Sequence, residues 1–330
     1  MTAEGRPDVS VVITAHNEGR HVRRTLERLA AQEGGFEVVL VDDRSADDTV
    51  AEARAAGLEG LRLLSLAPRP GSALTTRQQA LDLGFRAARG RAILTLDADG
   101  LAPPGWVRAM SAPILAGEAD ALAGPVVFGP GGGWIGRWQT CDAAYYLLVC
   151  AAMTRAELGG GALFGNFAFR ASAYDRLGGF EAIGPALTED LAFARAIQSA
   201  GLRLRHPGRE VAVAVAVRPC GSFGALVRRT LRVTRAPVSP LAVVPTVWPL
   251  TLLAALGWAV SGAPGGEAAL ALRYLAGAAV TAAAAWRNAG PGAAAFAPLY
   301  GPLVLPLAAA AALARATGER RIDWGGRSYG

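Results

Sequence analysis

The sequence of residues 9–18 is VSVVITAHNE, an apolar run of strand-forming residues followed by small and polar ones. The pattern recurs in residues 36–45, FEVVLVDDRS, and in residues 92–99, AILTLDAD. Short runs rich in Val, Ile and Leu predict buried strands, and the polar residues directly after them mark the strand ends. The three stretches therefore predict one sheet whose strands end in functional groups.

Amphipathic segments between these runs complete a series of βαβ units. The predicted strands are Val9–Thr14, Phe36–Val41, Leu61–Leu66 and Ala92–Leu96, and the predicted helices are Arg20–Ala31, Asp47–Ala56 and Thr76–Ala88. Strands that alternate with helices indicate an α/β fold with an open, mostly parallel, Rossmann-like sheet. Such sheets bind ligands at the carboxyl ends of their strands.

The residues at those strand ends disfavour two common nucleotide sites. No GxGxxG follows the first strand and no GxxxxGK[ST] occurs in the chain, so neither a nicotinamide site nor a P-loop is expected. The strand ends carry Asp42, Asp43, Asp97 and Asp99 instead. Because phosphate and carboxylate are both negatively charged, a phosphate ligand is compatible with these side chains only if a cation lies between the phosphate and the carboxylates.

Asp97-Ala98-Asp99 is the candidate for holding that cation. If the segment stays extended, its two carboxylates point to one face, because side chains alternate along a strand. Two hard oxygen ligands suit Mg²⁺ or Mn²⁺ and leave positions open for diphosphate oxygens. The alternative is a solvated turn, in which Asp and the following Gly100 are favoured.

A second acidic pair, Glu189 and Asp190, follows Thr188 and precedes a helical pattern over Leu191–Ala200. The alternative to a functional role is helix capping, since Thr is a good N-cap and acids in the first turn complement the helix dipole. The pair lies downstream of Asp97 and Asp99 and after a Gly-rich loop. That position favours a role in the same site.

The last third of the chain is nearly free of charge. Hydrophobic residues make up 52% of the chain and charged residues 18%, yet residues 236–314 contain only Glu267, Arg273 and Arg287 as charged residues. Val238–Val260 and Ala289–Ala314 are each long enough to cross about 30 Å of hydrocarbon. Ala268–Trp286 carries Arg273 and is the weaker candidate, expected to be interfacial or re-entrant. Buried core helices are the alternative for all three.

The distribution of Arg predicts how the chain lies at the membrane. The N-terminus has no signal-peptide pattern, and Arg clusters flank the apolar block on both sides, as expected for two crossings with both ends in the cytoplasm. We therefore expect a cytoplasmic domain, residues 1–235, and a multi-pass region of the cytoplasmic (inner) membrane, residues 236–330. The same clusters account for the net charge of +6, so nucleic acid is not an expected partner.

From about Asp8 to Arg235 the chain resembles the family 2 inverting glycosyltransferases, which have the GT-A fold. The resemblance rests on four motifs in the family's order: the first strand with Ala15, His16, Asn17 and Glu18; the VDDxSxDxT signature at Val41–Thr49; the DxD at Asp97 and Asp99; and the TED at Thr188–Asp190. It implies that the first two motifs, with Asp42, Asp43 and Asp97, bind a nucleotide-diphosphate sugar. It further implies that Asp97 and Asp99 bind the metal, and that Asp190, with Glu189 beside it, is the catalytic base.

Two departures from the family's pattern concern positive charge. Gly71-Ser72-Ala73 stands where the family often has Gly-Lys-Ala, so the positive charge of that Lys is expected to come from Arg69 or Arg77 instead. The nearest fit to the QxxRW motif has Arg229 and Arg232 but neither Gln nor Trp, which argues against processive polymer synthesis. Arg229 and Arg232 are the expected contacts to the donor diphosphate.

The end of the chain, Trp324 to Tyr329, resembles the W-x-GR-x-Y ending of lipid- and carotenoid-type glycosyltransferases.

The resemblance implies transfer of a hexose, with a UDP-sugar as the expected donor, to a hydroxyl of a membrane lipid or lipid-like acceptor. Aromatic residues between Gly129 and Gly165 suggest the acceptor region, with Gly165, Asn166 and Phe167 lining its entrance; a plain core role is the alternative. The rival enzymatic hypothesis is a polyprenyl-phosphate sugar synthase. A membrane-anchored nucleotide-sugar-binding module without catalysis is the non-enzymatic one.

Overall fold

The computed structural model of the chain describes residues 7–67, 69, 71–129, 133–158, 161–206, 214–234, 240–317, 322–324 and 327–329. Packing divides the chain into two units. The first contains Met1–Val126 and Gly159–Val217, and the second contains Val127–Leu158 and Arg218–Gly330. The domain boundary at residue 235 stays a prediction.

The first unit begins as a regular βαβ series. Its first half contains β1 Val9–Ala15, α1 Val22–Ala30, β2 Phe36–Asp42, α2 Thr49–Ala55, β3 Leu61–Ser65, α3 Thr76–Ala87, β4 Ala92–Asp97, α4 Trp106–Leu115 and β5 Ala121–Ala123. All seven predicted elements in this stretch are confirmed, with ends that differ by at most two residues. The helix predicted from Asp47 starts at Thr49 because the Asp47 carboxylate accepts hydrogen bonds from the backbone N–H groups of Gly19 and Thr49.

The rest of the first unit closes the sheet and carries the second acidic motif. It contains a 3₁₀ turn Phe164–Asn166, β7 Phe167–Arg170, α6 Ala171–Arg176, α7 Gly179–Ile183, α8 Glu189–Ser199, β8 Leu204–Arg205 and β9 Val215–Val217. Strand β6, Val126–Phe128, begins at the last residue of the first segment of this unit.

The seven-stranded sheet has the order β3-β2-β1-β4-β7-β5-β8. Strands β1 to β4 are parallel, whereas β7 pairs antiparallel with β4 and with β5. The strand order reverses at β1, with β2 on one side and β4 on the other, and this kind of switch point is where open α/β sheets bind ligands. The predicted open, mostly parallel sheet is confirmed.

The core of the first unit lies between the sheet and helix α3. Phe85 of α3 is in ring contact with Phe169, Tyr174 and Phe180, the two closest pairs having centroids 4.9 and 5.1 Å apart. The residue before it, Gly84, lets the helix approach the sheet, since a Cβ there would lie 2.5 Å from Cγ1 of Val12. This packing fixes α3 against the strands that end in the acidic residues.

The second unit is helical. It contains α5 Gly133–Arg155, α9 Phe223–Thr234, α10 Pro240–Val260, α11 Gly266–Ala289, α12 Pro291–Ala294 and α13 Ala297–Ala316, followed by the antiparallel strands β10 Ile322–Trp324 and β11 Arg327–Tyr329. Helix α5 places Trp138 and Tyr145 in the core of this unit, with ring centroids 5.5 and 6.1 Å from that of Tyr300. Trp134 is half exposed.

The apolar C-terminal helices differ from the prediction in two respects. Among the described residues, one helix is long and apolar enough to cross a membrane, and it is α11, which contains the segment expected to be the weaker candidate. The uncharged run Ala289–Ala314 is not one helix, because Gly290 ends α11 with a φ of 90° and Pro291 starts α12. A C-terminal helical region that fits a membrane thus follows the α/β unit.

Candidate active site

Three predicted site residues, Ala15, Asp42 and Asp97, lie within one residue of the same level of the sheet. In the parallel ladders, Ala15 of β1 pairs with Asp42 of β2, and Thr14 pairs with Asp97 of β4. The carboxyl ends of the three strands on either side of the switch point therefore meet at one edge. This register brings the first three sequence motifs together.

The loops after β1 and β2 interlock. Ser45 Oγ accepts a hydrogen bond from the Asn17 N–H at 2.9 Å, Thr49 Oγ1 accepts one from the Glu18 N–H at 2.8 Å, and Asn17 Oδ1 accepts one from the Ala46 N–H at 2.8 Å. Asn17 has a φ of 56°, in the left-handed region that Asn tolerates better than most residues. The Ser and Thr of the VDDxSxDxT signature thus hold the first loop in shape.

Asp42, Asp43 and His16 occupy the inner part of these loops. The side chain of Asp42 accepts from the Ser45 N–H at 3.3 Å, and Asp43 Oδ1 lies 3.2 Å from the guanidinium of Arg44. His16 Nδ1 lies 2.6 Å from the carbonyl oxygen of Asp43, so this nitrogen carries the proton. Both aspartates are buried, with 6% and 7% exposure, so each has only a narrow surface for a ligand.

The DxD segment is not extended. Strand β4 ends at Asp97, and the Gly100 N–H donates to the Asp97 carbonyl at 2.8 Å, which closes a turn over Ala98 and Asp99. The extended segment on which the shared face of the two carboxylates depended is therefore not observed, and the segment forms a turn, as in the alternative. Gly100 is required by this turn, because a Cβ would lie 2.9 Å from the Asp97 carbonyl oxygen and 2.7 Å from Cδ1 of Leu96. Thr25 of α1 anchors the turn by donating to the Ala98 carbonyl at 2.8 Å.

Arg77 joins the DxD motif to the TED motif. Its terminal nitrogen lies 2.7 Å from Asp97 Oδ1, and its Nε lies 2.6 Å from Glu189 Oε1. Burial disfavours the charged guanidinium, but the two carboxylates outweigh it and raise the pKa of Arg77 above its ordinary value. Arg77 thus supplies positive charge at the centre of the site, one of the two options that the sequence left open.

The other option, Arg69, has a different role. Its guanidinium lies 3.4 Å from Asp82 and 3.5 Å from Glu181. Asp82 is fully buried and also accepts hydrogen bonds from Tyr174 at 2.7 Å and Arg86 at 2.9 Å. Arg69 therefore belongs to a network that supports α3.

Helix α8 begins with the second acidic pair. Glu189 is buried, whereas Asp190 is half-buried and its Oδ1 accepts from the Leu191 N–H at 2.8 Å. Among the described residues, the Thr188 side chain makes no capping hydrogen bond to the helix, so the capping alternative does not account for this threonine. Glu189 is tied to Arg77, and Asp190 is the next residue on the first turn of the helix.

The residues predicted to line the acceptor entrance divide into two kinds. Gly165 adjoins the site, since a Cβ there would lie 2.8 Å from Asp97 Oδ2. Asn166 and Phe167 have no exposed surface. The Asn166 side chain accepts from Trp106 Nε1 at 2.9 Å and donates to the Pro125 carbonyl at 2.6 Å. The expectation that these two side chains line an entrance is thus corrected: both lie in the core of the first unit.

The two arginines predicted to contact the donor diphosphate lie on α9, in the second unit. The Arg229 guanidinium stands 5.2 Å from the ring centroid of Phe128. Arg232 lies one turn further along the helix, and its side chain is outside the described part of the chain. Their contact with the donor stays a prediction.

No three-residue metal cluster occurs among the described His, Cys, Asp and Glu side chains. The chemistry at the end of β4 nevertheless fits a hard divalent cation, because Asp97 and Asp99 offer carboxylate oxygens on one tight turn. Two protein carboxylates leave the remaining positions for oxygens of a phosphate ligand, which is the usual arrangement for Mg²⁺.

The sheet order, the acidic strand ends and the second carboxylate pair are those of a glycosyltransferase with the GT-A fold. The overall architecture matches that of a solved mannosyltransferase from Pyrobaculum calidifontis, whose structure contains GDP-Man and Mn²⁺. The match covers 96% of this chain and 88% of that one, with a TM-score of 0.55 and 22% identity, and it supports the fold.

The Glycosyl transferase family 2 model matches residues 10–178, and the chain belongs to that family. Similar proteins include the succinoglycan biosynthesis protein ExoO of Rhizobium meliloti, 40% identical over 105 residues, and a dodecaprenyl-phosphate galacturonate synthase of Rhizobium johnstonii, 34% identical over 122 residues. These matches cover 32% and 36% of this chain, and 29% and 35% of the two relatives. The chain thus matches about a third of each relative's length.

Proposed function

We propose that this glycosyltransferase transfers a hexose from a nucleoside-diphosphate sugar, with UDP as the expected nucleotide, to a hydroxyl of a membrane lipid or lipid-like acceptor, with inversion at the anomeric carbon. The observation that carries the proposal is the pair of contacts made by Arg77. They tie the predicted metal-binding Asp97 to Glu189, the neighbour of the predicted base Asp190. One side chain thus connects the donor half of the proposed site to its acceptor half.

The donor half is formed by the strand ends of β1, β2 and β4. We assign the nucleoside to the interlocked loops that contain His16, Asp42 and Asp43, since their buried carboxylates suit hydroxyl and N–H donors. The mannosyltransferase that shares the fold was solved with GDP-Man and Mn²⁺, which is the kind of donor and metal we propose here.

Asp97 and Asp99 would hold a divalent cation, Mg²⁺ or Mn²⁺. When bound, it would neutralise the negative charge that builds on the diphosphate as the sugar leaves. Gly165 and the turn closed by Gly100 hold Asp97 in place for this role.

Asp190 is the proposed general base. It accepts the proton of the acceptor hydroxyl as that oxygen attacks the anomeric carbon, a contribution typically worth about 10²–10⁴-fold. The carboxylate is half-buried at the first turn of α8, and the ion pair between Glu189 and Arg77 fixes that turn. A single displacement inverts the anomeric centre, so an α-linked donor would give a β-glycoside.

The membrane location of the acceptor is supported by the C-terminal helices. Helix α11 is 24 residues long and meets the length and apolarity of a membrane span, and α10 is a 21-residue helix without a charged residue. We propose that these helices anchor the enzyme in the inner membrane, with the α/β unit in the cytoplasm. A lipid acceptor is the substrate class that such an anchor serves.

The second candidate function is a polyprenyl-phosphate sugar synthase. It is favoured by one observation, the similarity to a relative named for dodecaprenyl-phosphate galacturonate synthesis. In that reaction the attacking group is a phosphate oxygen, which is already ionised at neutral pH and needs little help from a general base.

The variant Asp190→Asn tests the proposal and separates the two candidates. For a hydroxyl acceptor we expect nucleotide binding to be retained and transfer to fall by about 10²-fold or more. For a phosphate acceptor the loss would be modest. Asp175→Asn, an exposed carboxylate on α6, is the matched control and should keep full activity. Full activity of Asp190→Asn with both acceptors would refute the assignment of the base.

A further inference from the structure

Arg77 and Asp97 make a contact that matters for the order in which ligands bind. Asp97 is about one-third exposed, and one of its two oxygens lies 2.7 Å from the Arg77 guanidinium. The other oxygen lies next to Gly165, where an added Cβ would be only 2.8 Å from it. Both sides of the carboxylate that we propose as a metal ligand are therefore already in contact with the protein.

The charge of Arg77 opposes a cation at the same carboxylate. An ion that binds Asp97 while the guanidinium remains in contact would bring two positive charges within a few ångströms, which is costly in a partly buried site. The donor offers the guanidinium another partner. Its diphosphate can accept the planar Arg fork in a bidentate contact, the geometry for which guanidinium is well suited.

Glu189 keeps Arg77 in the site during such an exchange. The contact between Arg77 Nε and Glu189 Oε1 is 2.6 Å long and the carboxylate is buried. Nε and the terminal nitrogens belong to one rigid, planar guanidinium, so the group leaves Asp97 by tilting as a whole about its contact with Glu189. The buried Glu189 carboxylate keeps the tilted group within reach of a phosphate in the site.

We propose that Arg77 is a placeholder cation: it occupies Asp97 in the donor-free enzyme, and the donor diphosphate draws it away so that metal and nucleotide bind together. This inference rests on the proposed function, because it requires Asp97 to be a metal ligand. Its consequence is that the metal binds weakly to the enzyme alone and more tightly when a nucleoside diphosphate is present.

The test measures Mn²⁺ binding to the full chain in detergent by electron paramagnetic resonance, with no nucleotide, with UDP and, in parallel, with GDP. In the wild type we expect the nucleotide to tighten Mn²⁺ binding. In Arg77→Gln we expect Mn²⁺ without nucleotide to bind more tightly than in the wild type, by about threefold or more, because a competing cation is gone. The gain from nucleotide should shrink in the same variant.

Two further variants keep the test decisive. Arg77→Gln leaves Glu189 buried without its partner and can impair folding, so the double variant Arg77→Gln/Glu189→Gln removes both charges and should show the same tighter Mn²⁺ binding. Arg69→Gln removes an arginine that pairs with Asp82 and Glu181, and it should leave Mn²⁺ binding unchanged.

The outcomes separate this inference from the function on which it rests. If Mn²⁺ binds the wild type with UDP or GDP but the Arg77 variants bind it no more tightly in the absence of nucleotide, the placeholder role is wrong and the metal site stands. If Mn²⁺ does not bind the wild type with any nucleotide, the proposed metal site itself is wrong.

Discussion

Gly165 and Gly84 form a matched pair in which the same substitution should impair different properties, activity at Gly165 and stability at Gly84. In Gly165→Ala, the new Cβ would lie 2.8 Å from Asp97 Oδ2 and 3.6 Å from Cγ2 of Val126. An ordinary contact is about 3.4 Å or longer, so the carboxylate must move by about 0.6 Å while its other oxygen is tied to Arg77. In Gly84→Ala, the Cβ would lie 2.5 Å from Cγ1 of Val12, between α3 and the sheet.

The two variants should therefore separate catalysis from stability. For Gly165→Ala we expect kcat/KM to fall by about tenfold or more, since sub-ångström misplacement of a site group has effects of that order, with little change in Tm. For Gly84→Ala we expect a loss of about 1–3 kcal/mol in the free energy of unfolding from overpacking, with nearly normal kcat per folded molecule.

The assay is sugar transfer by the detergent-solubilised enzyme, combined with thermal unfolding of the same preparations. Gly165→Ala with wild-type activity would refute the placement of Asp97 against Gly165. A large drop in Tm for Gly165→Ala, together with none for Gly84→Ala, would refute the assignment of the two glycines to site and core.

Two further predictions concern buried networks of the first unit. Burial raises the pKa of Glu37, but hydrogen bonds from Ser10, from the Arg89 N–H and from Arg62 outweigh it and hold the pKa below the ordinary value of 4.5. A carboxylate whose pKa is lower in the folded than in the unfolded protein stabilises the fold above the unfolded-state pKa, and this stabilisation is lost as the pH falls through the folded-state pKa. Glu37→Gln should therefore flatten the loss of stability below about pH 4.5 in acid-unfolding curves. An unchanged slope would contradict this. Tyr174→Phe removes the hydroxyl that donates to buried Asp82, so urea unfolding should show a loss of about 1–3 kcal/mol, and no loss would show that Asp82 does not need this donor.

The sequence was most informative where periodicity and chemistry agree. Apolar runs predicted four strands, three of which end in polar residues at a shared edge, and the ladders that pair Ala15 with Asp42 and Thr14 with Asp97 confirm that edge. The family resemblance is likewise confirmed, since its model matches residues 10–178. These features depend on local pattern, which a single sequence displays directly.

The sequence was least informative where the answer depends on a partner far along the chain. Arg77 and Glu189 are 112 positions apart, and Arg77 was only one of two candidate cations until the structure placed it between two carboxylates. A usable signal existed, because Arg77 lies in the first turn of a helix that the sequence predicted correctly from Thr76. Its contact with Asp97 depends on how α3 packs on the sheet, which no local pattern encodes.

Two errors arose from extending a local rule past its range. Strand alternation gives Asp97 and Asp99 a shared face only if the segment stays extended, and Gly100 instead closes a turn immediately after the strand. The aromatic segment that ends at Gly165 favours an acceptor entrance at Asn166 and Phe167, but hydrogen bonds to Trp106 and Pro125 fix Asn166 in the core.

The central claim is the transfer of a hexose from a nucleoside-diphosphate sugar to a membrane lipid. The most direct measurement incubates membrane vesicles that contain the enzyme with an isotope-labelled UDP-hexose and Mn²⁺, and analyses the extracted lipids by mass spectrometry and by NMR of the anomeric proton. We predict a labelled lipid glycoside of inverted anomeric configuration, formed by the wild type and lost in Asp190→Asn. Label found only in free hexose or in a water-soluble glycan, or a product with retained configuration, would contradict the account.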